Sequence, residues 1–364
     1  MLGLLESGGI ALWVTILATP MLIHWLQARR IGQPIREDGP ASHSVKAGTP
    51  TMGGLALVGG AVLGYAFGHL GTQTPFSRTG WLAILAVLSF SIVGFTDDWI
   101  KVRHQRSLGL NKRAKLLAQV GFAVLFAELA LHWAHTSTAL SFTRAAVPGI
   151  DLGEVGWVIF AVLVMVGTSN AVNITDGVDG LAAGSSTFCF AVLSIIGYWI
   201  YRHVKDYATT QSVEINGHIH NVYVPFPRAS AIDLALVACA LAAACIGFLW
   251  WNAAPAKIIM GDTGSLAIGS GLAALCLLLN LDLLLPIIGG LFVMETLSVI
   301  AQVVSFRIFH RRIFRMAPIH HHFELGGWPE TTVIVRFWIL GGLFVALGLG
   351  IFYGDFLRHT GLAS

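Results

Sequence analysis

Residues 81–103 read WLAILAVLSFSIVGFTDDWIKVR. From Trp81 to Val93 the run carries no charge and does not alternate, whereas a lipid-facing β-strand would alternate apolar and polar side chains over about ten residues. A helix is the other way to satisfy every backbone N–H and C=O inside hydrocarbon. At 1.5 Å per residue, about 20 residues cross roughly 30 Å of bilayer core. The run therefore predicts a transmembrane helix. It closes on two adjacent carboxylates, Asp97 and Asp98, followed by Lys101 and Arg103.

The same pattern recurs along the chain, with apolar segments at roughly 6–27, 52–71, 80–99, 114–133, 156–173, 181–200, 231–250, 264–281, 284–305 and 334–357. Of the 364 residues 55% are hydrophobic and only 11% charged, against about 25% charged in an ordinary soluble domain. The expected fold is all-α, a polytopic membrane protein with about ten transmembrane helices. No internal repeat or long linker divides it, so residues 1–364 are expected to form a single integral-membrane domain. Cys189, Cys239, Cys245 and Cys276 lie within apolar segments without ligand spacing and read as packing residues. A net charge of +3 with no basic-aromatic stripe gives no case for nucleic acid.

The basic residues inform about topology. The first span has no basic stretch before it, and Arg29 and Arg30 follow it, so it is expected to remain as an anchor with its N-terminus outside. Alternating sides from there places Arg29, Arg30, Arg36, Lys46, Lys101, Arg103, Arg106, Lys112, Arg113, Lys115, Lys257, Arg307, Arg311, Arg312, Arg315 and Arg336 on one face. Arg78, Arg144, Arg202, Lys205, Arg228 and Arg358 fall on the other. The positive-inside rule makes the richer face cytoplasmic and puts both termini outside, in the periplasm where there are two membranes. The longest outer loop, about 201–230, carries Pro225 and Pro227 and is expected to hold a small surface structure of undetermined type.

Acidic residues beside membrane spans are costly, and Asp97, Asp98, Asp176, Asp179 and Asp262 all fall at cytoplasmic ends. Neighbouring side chains on a helix diverge by about 100°, so Asp97 and Asp98 are expected to take different roles; a solvated helix end balanced by Lys101 and Arg103 is the plain alternative. In NAVNITDGVDGLAAG, Asn170 and Asn173 are three apart, as are Asp176 and Asp179, which places each pair on one face if helical. Gly177 and Gly180 allow a backbone break or close approach to a ligand. In WWNAAPAKIIMGDTGSLAIG, Asp262 suits either a helix N-cap or Mg²⁺, and Asn252 lies ten residues before it. His320, His321 and His322 in MAPIHHHFELGGWPE lack the spacing of a zinc site and suit phosphate contacts better. KAGTPTMGG sets Lys46 and Thr51 at a helix start, a geometry favourable to anions.

TPTMGG, DD followed by a lysine-bearing loop, NAVNITDGVDGL, GDTGSL and PIHHHFE stand in this order along the whole chain. In that order they resemble the polyprenyl-phosphate N-acetylhexosamine-1-phosphate transferase superfamily, and within it the phospho-N-acetylmuramoyl-pentapeptide-transferases. The resemblance implies a ten-helix enzyme of the bacterial inner (plasma) membrane with its active site on the cytoplasmic face. It also implies transfer of phospho-MurNAc-pentapeptide from UDP-MurNAc-pentapeptide to undecaprenyl phosphate, giving lipid I and UMP with Mg²⁺ as cofactor.

By motif, Asp97, Asp98, Asp262 and His321 are similar to the family's catalytic residues, with Asp262 the metal ligand and Asp97 the contact to the lipid phosphate. His320 and His322, with Asn170, Asn173, Asp176, Asp179, Gly180 and Asn252, resemble the substrate pocket. Lys46, Thr51, Lys101, Lys115 and Gln302 surround it. Arg103, His104 and Gln105 stand where relatives often carry lysines, which leaves individual basic contacts there open. Whether the chain forms a homodimer is also open.

Two rival functions are weighed. A sister enzyme would move N-acetylglucosamine-1-phosphate to the same lipid, and PIHHHFE argues against it. A secondary transporter would place its charges mid-span in repeated halves. Carboxylates gathered at one face suit a surface reaction instead.

Overall fold

The computed structural model describes residues 1–29, 32, 48–72, 74–104, 108–143, 150–203, 208–215, 218–225 and 227–360. Among them are ten helices long and apolar enough to cross a membrane. They are α1 (Leu2–Ala28), α2 (Gly54–Thr72), α3 (Arg78–Arg103), α4 (Lys112–His132), α5 (Gly153–Thr175), α6 (Leu181–Arg202), α7 (Arg228–Asn252), α8 (Gly261–Leu278), α10 (Gly290–Phe309) and α12 (Glu330–Thr360). Each overlaps one of the ten apolar runs.

The ninth run is split into the short α9 (Leu285–Ile288) and α10. Pro286 suits the first turn of α9, where its missing N–H is no loss. Gly289 separates the two helices. A further short helix, α11 (Ile319–Glu324), carries the histidine run.

α8 is the axis of the bundle. Every residue from Thr263 to Leu278 is buried, and α2, α3, α5, α6 and α7 pack around it. Helix association in lipid depends on close packing rather than on expulsion of water, so small residues at the contacts decide it. A Cβ on Gly54 would lie 2.1 Å from Gly264 N, and a Cβ on Gly94 would lie 2.1 Å from the carbonyl oxygen of Asp262. Glycine at both places lets the backbones of α2 and α3 touch the first turn of α8. The outermost helices instead turn large apolar side chains outward: Trp13, Leu17 and Met21 on α1, Leu343 and Leu347 on α12. Ten such spans with apolar outer faces make a multi-pass membrane protein.

Two small antiparallel ladders lie at the ends of spans. β1 (Ala139–Leu140) pairs with β2 (Ile150–Asp151), and β3 (Ala208–Ile215) pairs with β4 (His218–Pro225), with Ile215 opposite His218. The second ladder is the surface structure within the 201–230 loop. Asn216-Gly217, between two runs rich in β-branched residues, is its hairpin signal in the sequence.

Candidate active site

The first turn of α8 meets the last turns of α3. The four leading N–H groups of a helix have no partner within it, and Met260, the residue preceding α8, supplies no side-chain cap. Asp98 supplies it from α3. Its Oδ2 accepts hydrogen bonds from Thr263 N at 2.9 Å and Thr263 Oγ1 at 2.7 Å, and its Oδ1 accepts one from Asp262 N at 3.2 Å. Negative charge at a helix N-terminus is also favoured by the helix dipole. Gly261, at φ +72°, makes the turn into α8, and a Cβ there would sit 2.6 Å from Asp98 Oδ2.

Asp97 points elsewhere, as the angular offset between neighbours requires. Its Oδ1 accepts from Leu110 N at 2.9 Å, which ties down the segment entering α4, and its Oδ2 lies 2.6 Å from Lys101 Nζ. Asp262 Oδ2 accepts from Lys101 Nζ at 2.8 Å and from Lys115 Nζ at 2.7 Å. Its Oδ1 accepts from Asn173 Nδ2 at 2.6 Å, and the same amide donates to Ser265 Oγ at 2.8 Å.

Elements far apart in the chain thus bring Asp97, Asp98 and Asp262 together, with one oxygen from each inside a 4.8 Å group. Asp97 and Asp98 are buried, and buried charges persist only when paired. Lys101 does the pairing, its ammonium 2.6, 3.5 and 2.8 Å from the three carboxylates. An ammonium stands where a cation is wanted. The donors around it are all oxygens, the set that Mg²⁺ prefers.

The cluster opens on a polar cavity of about 410 Å³ whose lining includes Thr51, Asp98, Lys101, Asn173, Asp176, Gly177, Asp262 and His321. An apolar groove of about 300 Å³ runs between α5 and α10, lined by Leu163, Val164, Gly167, Phe292, Val293 and Leu297 among others. Further along, α5 lines the polar cavity with Asn173 and Ile174, and α10 lines it with Val299. Groove and cavity therefore succeed one another along one helix pair.

Other candidate residues stand behind this cavity. Asp179 Oδ2 accepts from Ala256 N at 3.0 Å. Asn252 Oδ1 accepts from Gly180 N at 3.0 Å, while its Nδ2 donates to the Ile258 carbonyl at 2.9 Å. These bonds fasten the 176–180 turn, where Gly180 adopts φ +77°, to the segment leading into α8. Asn170 Nδ2 donates to Gln119 Oε1 at 3.0 Å and to the Val166 carbonyl at 2.8 Å. Gln302 Oε1 accepts from Ile313 N and Phe314 N at 3.0 and 2.9 Å, and its Nε2 donates to the Phe314 carbonyl at 3.1 Å. Lys46 lies outside the described residues.

The three histidines part ways. His321 lines the cavity with its Nδ1 2.5 Å from Glu324 Oε2. His322 Nδ1 accepts from Arg315 N at 3.1 Å. His320 is fully buried and faces Glu295. Thr263, Ser265 and Gly94 belong to the site and were not singled out in the sequence. For Thr263 and Ser265 the signal was their place in the same turn as Asp262; for Gly94, its place one turn before Asp98.

The chain is a membrane-embedded glycosyl transferase by its match to glycosyl transferase family 4 over residues 80–280, the stretch that holds Asp97, Asp98 and Asp262. Within that class the chain belongs to the phospho-N-acetylmuramoyl-pentapeptide-transferase family, whose signature 1 matches residues 46–58. It is similar to the protein of that name from Frankia casuarinae, at 45% identity over 367 residues, 99% of this chain and 100% of the relative. The corresponding proteins of Saccharopolyspora erythraea and Rhodococcus jostii are 49% and 47% identical, each across 98% of this chain and 98% and 99% of their own lengths.

Proposed function

We propose that this phosphoglycosyl transferase moves phospho-MurNAc-pentapeptide from UDP-MurNAc-pentapeptide to undecaprenyl phosphate, releasing UMP and leaving lipid I in the membrane. The observation that carries this reading is the succession along α5 and α10 of an apolar groove and a polar cavity lined by Asp98, Asp262 and Lys101, against which Asp97 and Lys115 pair. An acceptor with a polyprenyl tail and a phosphate head needs both environments in that order. The donor's pyrophosphate needs the cations.

In the reaction a phosphate oxygen of the lipid attacks the β-phosphorus of the donor, a new P–O bond forms, and the bond to the α-phosphate oxygen breaks as UMP leaves. Two anions must meet, so the gain comes from positioning and charge screening. Asp97, Asp98 and Asp262 would hold Mg²⁺, with Asp262 the principal ligand, and the ion would supply charge neutralisation at the pyrophosphate. Lys101 and Lys115 place two ammonium groups at the same spot for donor phosphates, and His321 offers an imidazole from the opposite wall.

Asp97 is the carboxylate assigned to the lipid phosphate. Both oxygens of Asp98 are engaged at α8, Asp262 is held from three sides and Asp97 is held by Leu110 N and Lys101, so none of the three is arranged as a nucleophile. A single displacement suits these contacts better than a route through an aspartyl-phosphate. Asp176 and Thr51 line the donor side. Asp179, Gly180, Asn252, Asn170 and Gln302 shape the wall from behind.

The distribution of Lys and Arg supports a cytoplasmic active site in a bacterial inner membrane, with both termini outside. Purified protein given undecaprenyl phosphate and Mg²⁺ is expected to release UMP from UDP-MurNAc-pentapeptide. Product from UDP-N-acetylglucosamine alone would overturn the choice of donor.

A further inference from the structure

An acidic side chain buried within a membrane helix is expensive and is kept for a reason. Glu295 on α10 is fully buried, and His320 on α11 is fully buried against it, with His320 Nδ1 3.0 Å from Glu295 Oε2. Neither side chain has an aligned hydrogen bond to any described residue, so the 3.0 Å approach is the one polar contact shown for each, where α11 meets α10.

The next residue, His321, is the histidine that faces the polar cavity, and its ring meets that of His320 edge to face at 4.2 Å between centroids. Gly177 forms the adjoining wall. A Cβ on Gly177 would come 2.7 Å from His320 Nε2 and 3.4 Å from His321 Nε2, so both rings sit directly beneath that backbone. Glu295 thus borders the His320 ring on one side and Gly177 borders it on another.

We propose that Glu295 is a positioning residue for the transfer reaction: through its contact with His320 it sets the place at which His321 meets the substrate phosphates. The inference rests on the transferase reading above. It assigns Glu295 no contact with substrate.

The test is a double-mutant cycle on UMP release by the full-length enzyme, with UDP-MurNAc-pentapeptide varied through saturation and undecaprenyl phosphate and Mg²⁺ saturating. Activity of the unaltered enzyme checks the reaction first, so failure of the reading and failure of the inference are separate results. Glu295→Leu is expected to lower kcat on the order of 10- to 100-fold with little change in donor KM, the scale of a misplaced catalytic group. In a His321→Ala background the same change should cost less than about twofold, because the two residues act as one unit. Glu295→Gln, which keeps an oxygen at the same reach, should restore most of the loss.

Should Glu295→Leu fail to fold, Glu295→Asp, which keeps the charge and withdraws it by one methylene, carries the same cycle with the same expected coupling. Losses that add in the double variant, or full activity in Glu295→Leu, would overturn the proposal.

Discussion

Lys101 Nζ lies 2.8 Å from Asp262 Oδ2, although the two residues are 161 positions apart. The contact joins the carboxylates at the end of α3 to the first turn of α8, and every element of the proposed site is arranged about it. Three carboxylates crowded together need such a cation, or a divalent ion in its place.

Asp98 does two things, and substitution should separate them. Its carboxylate accepts three hydrogen bonds from the first turn of α8. Asp98→Ala strands those donors in a buried place and is expected to destabilise the protein by about 1–3 kcal/mol. Asp98→Asn retains an acceptor and should lose much less stability while still losing UMP release. Thermal unfolding in detergent, read beside activity, checks both.

Gly94 tests the helix crossing without touching any charge. Alanine favours helix more than glycine does, yet a Cβ at this position would collide with the Asp262 carbonyl at 2.1 Å. Gly94→Ala should therefore push α3 from α8 and lower kcat by about 100-fold, the scale of an ångström-sized misplacement. Gly121→Ala, where a Cβ meets nothing within 4 Å, should leave activity unchanged.

Asn252 distinguishes a scaffold from a donor contact. Asn252→Ala removes the partners of Gly180 N and the Ile258 carbonyl, so the melting temperature should fall by the equivalent of about 1–3 kcal/mol. Donor KM should stay within about threefold. A large rise in KM with no loss of stability would instead mark it as a ligand of the donor.

Much of this arrangement was legible in the sequence because hydrocarbon leaves few options. Runs such as Trp81 to Val93 had to be helices, and carboxylates such as Asp97 and Asp262 had to collect at their ends. The angular offset between Asp97 and Asp98 also appeared as expected, one facing the α4 entry and the other facing α8. What could not be read was the direction in which polar side chains spend their hydrogen bonds. Asn252, Asp179 and Gln302, which the resemblance sets at the substrate pocket, make hydrogen bonds to backbone that their residue types did not foretell. His320 belonged to a run of three alike and turned inward, because Glu295 waited in a segment read only as an apolar span. A single ionisable residue inside that span was the available signal.

In the proposed mechanism Asp97, Asp98 and Asp262 together hold one divalent ion. Mn²⁺, an oxygen-seeking and paramagnetic probe of Mg²⁺ sites, can be titrated into the purified protein and followed by electron paramagnetic resonance without any turnover. One bound ion per chain is expected in the unaltered protein, and its loss in a folded Asp262→Asn variant that also releases no UMP. Undiminished binding in that variant would contradict the mechanism.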